Sequence, residues 1–482
     1  MPAPSRNPAF RKWIPRLSRP NERDYFSTMM GHYQLAVIGS GSGGREAALL
    51  GARKGLRTVV IERDRLGGSC FHRGCYAVRA LQACSRQFRD NWKSGRFGNR
   101  RELQKATLEG WMTVQRQVSL RLVDQFREQL HRAGVDLIQG HGSLLDDRTL
   151  QTIDAQGRKS VFTAENIIVA TGSRPDFDDR LHVRVVNSDQ LMGLNALPPH
   201  LAIIGAGYIG CEFASIYRRL GAEVTLIERL DRVLPGWESE AGNYVAESLE
   251  TRGVKILSNF EAGLNDLAED ETAVRIRSGD GRAVDAEVVL VATGRKPNSQ
   301  GLGLAALGID DASALSVDSS MRLSHPGLYA VGDVTGLGFL DSTAYSQANV
   351  AINTILGKEG RLDHGGIPRC IHTEPAIATV GWTESEAAAR GVEFAVASTS
   401  LRLVSDDDRS LVDPEPTLVK VLIDPQSRTL LGCMVVGDHA AVIANIAAIA
   451  VHSKMPIDRL RDIPMAQPSA ADALIHALRA VD

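Results

Sequence analysis

The run Gln34-Leu35-Ala36-Val37-Ile38-Gly39-Ser40-Gly41-Ser42-Gly43-Gly44 decides the fold, together with the helical pattern to about Arg53 and the apolar stretch Thr58 to Ile61 closed by Glu62. An apolar strand ending in Gly39-x-Gly41-x-x-Gly44 and opening a helix is the setting of a β-α-β unit that holds a dinucleotide. The first glycine permits a tight turn, the second lets backbone approach a pyrophosphate, and the third lets helix pack on strand. The helix N-terminal N–H groups then face the phosphates. Glu62 stands where a carboxylate hydrogen-bonds ribose hydroxyls.

The pattern occurs twice. Leu201 to Ile204 leads into Gly205-x-Gly207-x-x-Gly210, and Glu223 to Ile227 closes at Glu228. Each unit is followed by a matching turn, Ala170-Thr171-Gly172-Ser173-Arg174-Pro175 and Ala292-Thr293-Gly294-Arg295-Lys296-Pro297. This order, repeated, indicates an internal duplication with two dinucleotide sites. A carboxylate at Glu228 accepts hydrogen bonds from a free 2′-hydroxyl and repels a 2′-phosphate, which favours NAD over NADP; Arg229 beside it pulls the other way.

Just past the first unit lies Gly67-Gly68-Ser69-Cys70-Phe71-His72-Arg73-Gly74-Cys75, which holds the closely spaced pair among six cysteines. The spacing is not that of a thioredoxin-like motif, and no second pair completes a zinc site, so no metal is expected. His72 and Arg73 predict electropositive surroundings that lower the thiol pKa. The bland alternative is two unpaired buried thiols. Cys84, Cys211, Cys370 and Cys433 are scattered and read as packed or inert. One dithiol with two dinucleotide sites suggests electrons moving between a nicotinamide, a flavin and sulfur. That cysteine usage suits a reducing cytoplasm.

The chain of 482 residues is long enough for about three domains, and 43% hydrophobic with 23% charged residues is a soluble globular composition. A net charge of −2 argues against a nucleic-acid partner. Ala440 to Val451 is too short to span a membrane and reads as a buried helix. Residues 1–30, basic and proline-containing, read as a disordered or mis-assigned extension ahead of Met29 and Met30. Ala80 to Ala133 reads as two long helices with a break near Ser94 to Asn99, and Val135 to Val169 as strands. Tyr329-Ala330-Val331-Gly332-Asp333 is a strand ending in Gly-Asp, followed by a helix to about Leu356. From Ile367 the pattern changes to strands, the apolar helix and a short tail.

In combination these motifs resemble the flavin-dependent pyridine nucleotide–disulfide oxidoreductases, from about Tyr33 to the C-terminus. The likeness includes Gly332-Asp333 and the run from Ile367-Pro368 through Glu374-Pro375 to Val380-Gly381. The resemblance implies an α/β fold of two Rossmann-like dinucleotide-binding domains with a C-terminal α+β interface domain. Residues 31–182 and 299–366 would bind FAD, 183–298 would bind NAD, and 367–482 would form a homodimer interface. By resemblance, FAD would lie against Gly39, Ser40, Gly41, Gly43, Gly44, Glu62, Arg63, Gly68, Ser69, Arg79, Gly142, Thr171, Gly172, Ser173, Gly332 and Asp333. NAD would lie against Gly205, Gly207, Tyr208, Ile209, Gly210, Glu212, Glu228, Arg229 and Gly294, with Tyr208 covering the flavin. Cys70 and Cys75 would form a redox-active disulfide, Cys75 as charge-transfer thiol and Cys70 as the interchange thiol that attacks a substrate. The run from Glu228 to Gly236 looks most like the dihydrolipoamide dehydrogenase branch, so a lipoyl group is a candidate substrate. Gly210 to Ser215 and Ala344 to Gln347 also resemble soluble transhydrogenases.

Two departures from that family stand out. Tyr76-Ala77-Val78-Arg79 replaces Ile-Pro-Ser-Lys, and Arg79 is expected to pair with Glu212 in place of the family's lysine. Gln467-Pro468-Ser469-Ala470-Ala471-Asp472 replaces the family's His-Pro-x-x-x-Glu, whose histidine serves the partner's interchange thiol as base. An amide cannot accept and return a proton near neutral pH. His476, one turn beyond Asp472, reads as an exposed helix histidine. Three explanations stay open: local activation of Cys70 by His72 and Arg73, an acceptor that needs no such base, or a transhydrogenase or diaphorase that does without the thiol step. A non-catalytic flavin-binding protein is the alternative outside enzymes.

Overall fold

The computed structural model describes residues 31–93, 108–177, 183–363, 365–402 and 416–481. The expected N-terminal extension, the break near 94–99 and the domain boundary at 182 lie outside the described residues.

The first β-α-β unit forms as the glycine spacing demands. Strands His32–Ile38 and Thr58–Glu62 run parallel with Leu35 opposite Thr58 and Ile38 opposite Ile61, joined by helix Ser42–Arg53. Asp136–Gln139 extends this sheet on one side and Lys159–Val169 on the other. Thr149–Ile153 and His141–Leu144 continue it antiparallel. The strand Leu328–Ala330 comes back from far along the chain to pair parallel with Lys159–Val169. Leu35, Ala36 and Val37 are fully buried: helices cover the face of Leu35 and Val37, and the antiparallel strands with residues 302–334 cover that of Ala36. Helix Asp341–Ile355 packs beside Ser42–Arg53 on one of those faces.

The second unit repeats the plan. Its parallel sheet is ordered Lys255–Leu257, Glu223–Ile227, His200–Ile204, Val288–Val291, Val185–Asn187, and helix Tyr208–Leu220 follows the second glycine fingerprint. The duplicated turns pair with each other: Ser173–Pro175 runs antiparallel to Arg295–Pro297, joining the two units at equivalent points. The C-terminal part is a five-stranded antiparallel sheet ordered Arg369–Ile371, Ile377–Gly381, Leu430–Val436, Pro416–Ile423, Ala395–Arg402. Arg219 and Arg252 reach Glu374 and tie this third layer to the second unit. The architecture is the α/β fold expected from sequence, two dinucleotide-type units with an α+β third part.

The helices Cys75–Lys93 and Leu108–Arg132 match the two expected ones. Helix Ala440–Ser453 corrects the reading of a wholly buried helix. Ile443, Ala444 and Ala447 face the sheet, but Val442 and Ile449 are 56% and 66% exposed in the single chain. The expected tail carries two further helices, Ile457–Asp462 and Asp472–Arg479. No helix among the described residues is long and apolar enough to cross a membrane.

Candidate redox site

Each fingerprint closes backbone against backbone at two glycines and leaves space at one. Gly39, at φ 103°, lies so close to the Ala170 carbonyl that a Cβ could not fit, and a Cβ on Gly44 would enter the Gly39 carbonyl. Gly41, which caps helix Ser42–Arg53, has nothing within 4 Å of such an atom. The second unit is the same: Gly205 lies against Ala292, Gly210 against Gly205, and Gly207 is open at the start of helix Tyr208–Leu220. The two open positions, each beneath a helix N-terminus, are where a pyrophosphate fits.

The acidic strand ends behave alike. Glu62 Oε2 accepts from the Ser40 N–H at 3.0 Å and its hydroxyl at 2.6 Å, while Oε1 accepts from Asp64 N–H at 2.8 Å. Glu228 Oε2 accepts from Ala206 N–H at 2.8 Å and Oε1 from Leu230 N–H at 3.0 Å. Both carboxylates are buried, and their oxygens have further lone-pair capacity for ribose hydroxyls. Arg229 and Arg63 are exposed beside them.

Ser40 has a second task. Its Oγ also accepts the Gly67 N–H at 2.9 Å, which fastens the cysteine turn to the first fingerprint. Gly67 and Gly68 both have positive φ, and a Cβ on Gly68 would press on the Gly41 backbone. Cys70 then sits in the short helix Gly68–His72, and Cys75 opens the helix Cys75–Lys93. Both thiols are free in this structure, and Cys75 is hydrogen-bonding company for Cys70.

The surroundings of Cys70 overturn the expectation of an activated thiol. The hydrogen bond with Cys75 and burial push its pKa well up, and the charge of Asp341 adds to this against a smaller effect of Ser42. The Cys70 S–H donates to Asp341 Oδ1 at 3.3 Å. His72 does not supply positive charge: burial lowers its pKa, and its Nε2 meets the Leu66 carbonyl at 3.0 Å. Arg73 is spent on Asp64 at 2.7 Å and Asp189 at 3.3 Å. Sequence neighbours of Cys70 thus point to other partners, and a residue from a distant helix faces it.

The expected Arg79–Glu212 pair is also corrected. Among the described residues no ion pair joins them; Glu212 Oε1 accepts the His372 N–H at 2.6 Å. Burial raises the Glu212 carboxyl to about 7, against the backbone N–H and the field of Arg79. Cys370 lines the same cavity but stays an unreactive thiol, as expected. Its Sγ lies 3.8 Å from His372 Nδ1, and burial raises its pKa to about 12.

These groups line one cavity of about 760 Å³. Of the residues expected to hold FAD, all but Gly44 reach it, and Gly44 lies beneath as a packing glycine. Tyr208, Ile209 and Glu212 join them from the second unit; Tyr208 donates its hydroxyl to the Phe339 carbonyl at 3.3 Å. Gly205, Gly207, Gly210, Glu228, Arg229 and Gly294 do not line this cavity. Asp333 accepts from Ser173 Oγ at 2.6 Å, and Arg295 Nε donates to that same hydroxyl at 2.7 Å. Burial raises the Asp333 carboxyl against these contacts. Gln467 is exposed in the single chain, where its Nε2 donates to Asp472 Oδ1 at 3.3 Å, and His476 is exposed as expected.

Sequence reasoning missed Ser42, Asp64, Asp189, Arg295, Asp341 and His372, all of which line the cavity. Ser42, Asp64, Arg295 and His372 sit within or just after quoted motifs and are within reach of the sequence. Asp189 and Asp341 arrive from distant segments and carry no local signal.

The chain is similar to known proteins over most of its length. Residues 33–354 match the family model for pyridine nucleotide-disulphide oxidoreductases, and residues 367–478 match the dimerisation domain of such enzymes. The chain is 32% identical over 465 residues to dihydrolipoyl dehydrogenase 2 of Haloarcula marismortui, covering 93% of this chain and 96% of the relative. It is 28% identical to dihydrolipoyl dehydrogenase of Bacillus subtilis, with 92% and 97% covered. Among solved structures, LpdA from Mycobacterium tuberculosis superposes with a TM-score of 0.84 at 28% identity, covering 92% of this chain and 99% of that one.

Proposed function

The chain belongs to the pyridine nucleotide-disulphide oxidoreductase family, a family of enzymes whose dihydrolipoyl dehydrogenases use FAD and NAD(H), and we propose that it passes electrons between NAD(H) and a disulfide or dithiol through Cys70 and Cys75. The observation that carries this reading is the Ser40 bridge. One hydroxyl links the ribose-side carboxylate Glu62 to the turn that bears Cys70, so nucleotide cradle and dithiol are one unit.

In this reading FAD lies along the first fingerprint, with Gly41 open to its pyrophosphate, Glu62 on its ribose, and Thr171, Gly172 and Asp333 toward its middle. NAD lies on the second fingerprint with Glu228 on its ribose, and Tyr208 covers the junction between the two. When bound, FAD supplies the two-electron carrier between nicotinamide and sulfur. The protein's own residues do the rest. Glu62 and Glu228 orient the ribose ends, and Cys75 and Cys70 take the electrons as a dithiol. Residues 31–182 with 299–366 serve the flavin, 183–298 the nicotinamide, and 367–482 a homodimer contact in which Val442 and Ile449 are covered. The cell compartment we assign is the cytoplasm.

A second reading has its own support. Asp341 at Cys70 and an amide at Gln467 both work against thiolate chemistry, so an acceptor other than a disulfide, as for a diaphorase or transhydrogenase, suits the site. Steady-state assay of the FAD-loaded protein with NADH, comparing free lipoamide with a one-electron dye, tests the two. We expect dye reduction to exceed lipoamide reduction by about 10²-fold or more, the order of a missing general base. Gln467→His should raise lipoamide turnover by about tenfold or more. Lipoamide turnover equal to dye reduction would refute the second reading.

A further inference from the structure

Cys70 faces groups from three elements packed against its own helix. Cys75 opens the following helix, Ser42 opens the fingerprint helix, and Asp341 opens the helix Asp341–Ile355. On its own segment, His72 is bound to the Leu66 carbonyl and Arg73 to Asp64 and Asp189. Among the described residues, the full charge that touches the sulfur is therefore a carboxylate, at 3.3 Å from Sγ. The N-terminal end of a 15-residue helix favours that negative charge.

Exchange with a disulfide requires the opposite. The Cys70 thiolate bonds to one substrate sulfur, the substrate S–S bond breaks, and the departing thiolate takes up a proton. Cys75 then attacks Cys70, closing the Cys70–Cys75 disulfide and releasing the second substrate thiol; the enzyme pair is oxidised and the substrate reduced. A carboxylate ordinarily holds a proton several orders of magnitude more weakly than a thiol, so it is a poor base for this step. Its charge meanwhile repels the thiolate that the step needs.

We propose that Asp341 is a specificity-determining residue acting through Cys70: it accepts the S–H at rest, opposes thiolate formation, and so turns the reduced dithiol away from ordinary disulfide substrates. The proposal deepens the functional reading above and depends on it for the identity of the dithiol as the electron carrier. It places substrate choice at a helix start 271 positions from the cysteine, in addition to the exchanged residue at Gln467.

The test uses the FAD-loaded, full-length protein reduced with a phosphine that is then removed without oxygen. Iodoacetamide labelling of each cysteine is followed by peptide mass spectrometry across about pH 6 to 10. In the wild type, Cys70 should label slowly at neutral pH, with a midpoint above the ordinary thiol range. In Asp341→Asn the midpoint should move down by about one unit or more and labelling at neutral pH should rise about tenfold, with Cys84 unchanged. Asp341→Ser, uncharged and still able to accept the S–H, should do the same and stands in if the first variant fails to fold. Fast labelling in the wild type, an unmoved midpoint, or slower labelling in the variants (Asp341 as an activating base) would overturn the proposal. So would an unchanged ratio of lipoamide to dye turnover in Asp341→Asn. Because the phosphine reduces the Cys70–Cys75 disulfide directly, failure of NADH to reduce that disulfide would sink the functional reading and leave the labelling result intact.

Discussion

The two fingerprint units are nearly superposable in chemistry, and they differ at one residue that matters. In both, the strand-end carboxylate accepts the N–H of the residue after the first glycine, Ser40 or Ala206, and that of the residue two beyond itself. In both, the middle glycine alone is open. The first unit has a hydroxyl at that loop position, and it carries a bond onward to Gly67 and the cysteine turn. The second has a methyl group there, and nothing of the kind is attached. The duplicated cradle is thus a general nucleotide holder, and a single serine converts one copy into the anchor of a redox centre.

The strongest way to break this comparison is at the open glycines. Gly41→Ala and Gly207→Ala add an atom to empty space, so the cofactor-free protein should unfold at nearly the wild-type temperature. We expect Gly41→Ala to abolish FAD retention on gel filtration. Gly207→Ala should keep FAD bound and raise KM for NADH by about 10²-fold, the scale of an ångström-level misfit. The reverse assignment of the two losses would show that the cradles have been given to the wrong nucleotides.

A smaller effect should follow from making the units alike. Ser40→Ala removes a hydrogen bond to a buried carboxylate and orphans the Gly67 N–H, a loss of about 2–4 kcal/mol in total. Thermal unfolding should register a drop of several degrees, and the cysteine turn should gain amide-exchange rate. The mirror change, Ala206→Ser, should leave both nearly unmoved. Equal responses would remove the distinction between the copies.

The smallest effect concerns Glu212, whose folded-state carboxyl sits at about 7 against an ordinary 4.5. Between those values the folded protein holds a proton that the unfolded chain releases, so stability falls as pH rises through this window and levels off above it. Glu212→Gln keeps an acceptor for the His372 N–H without that penalty. The variant's unfolding temperature should pull ahead of the wild type from about pH 5 to 7 and then hold its lead. A constant difference at every pH would contradict the buried, unpaired carboxylate described for this site.

The first unit, its duplicate and the cysteine turn were legible in the sequence because their physics is local. Gly39, Gly41, Gly44 and Glu62 act within about thirty residues of one another, as do Gly205, Gly207, Gly210 and Glu228, and spacing encodes their geometry. The environment of Cys70 was not legible for the same reason in reverse. His72 and Arg73 are neighbours in sequence, but one turn of helix sends them to Leu66, Asp64 and Asp189. Asp341 opens a helix 271 positions further along the chain, and no pattern near Cys70 announces it. Glu212 likewise finds its partner in the backbone of His372, a group that side-chain identity cannot foretell. Helix Ala440–Ser453 reads as buried because nearly every residue is apolar, and only the sheet beneath it reveals which stripe remains open.

The most direct test of the relay is an anaerobic titration of the FAD-loaded protein with NADH, counting the equivalents consumed. A flavin and a disulfide are each two-electron acceptors, so the wild type should take up two NADH per flavin, and Cys75→Ser only one. Long-wavelength absorption should grow during the first equivalent in the wild type and be missing from the variant. A wild type that is fully reduced by a single NADH, with Cys70 and Cys75 still disulfide-bonded, would contradict the account.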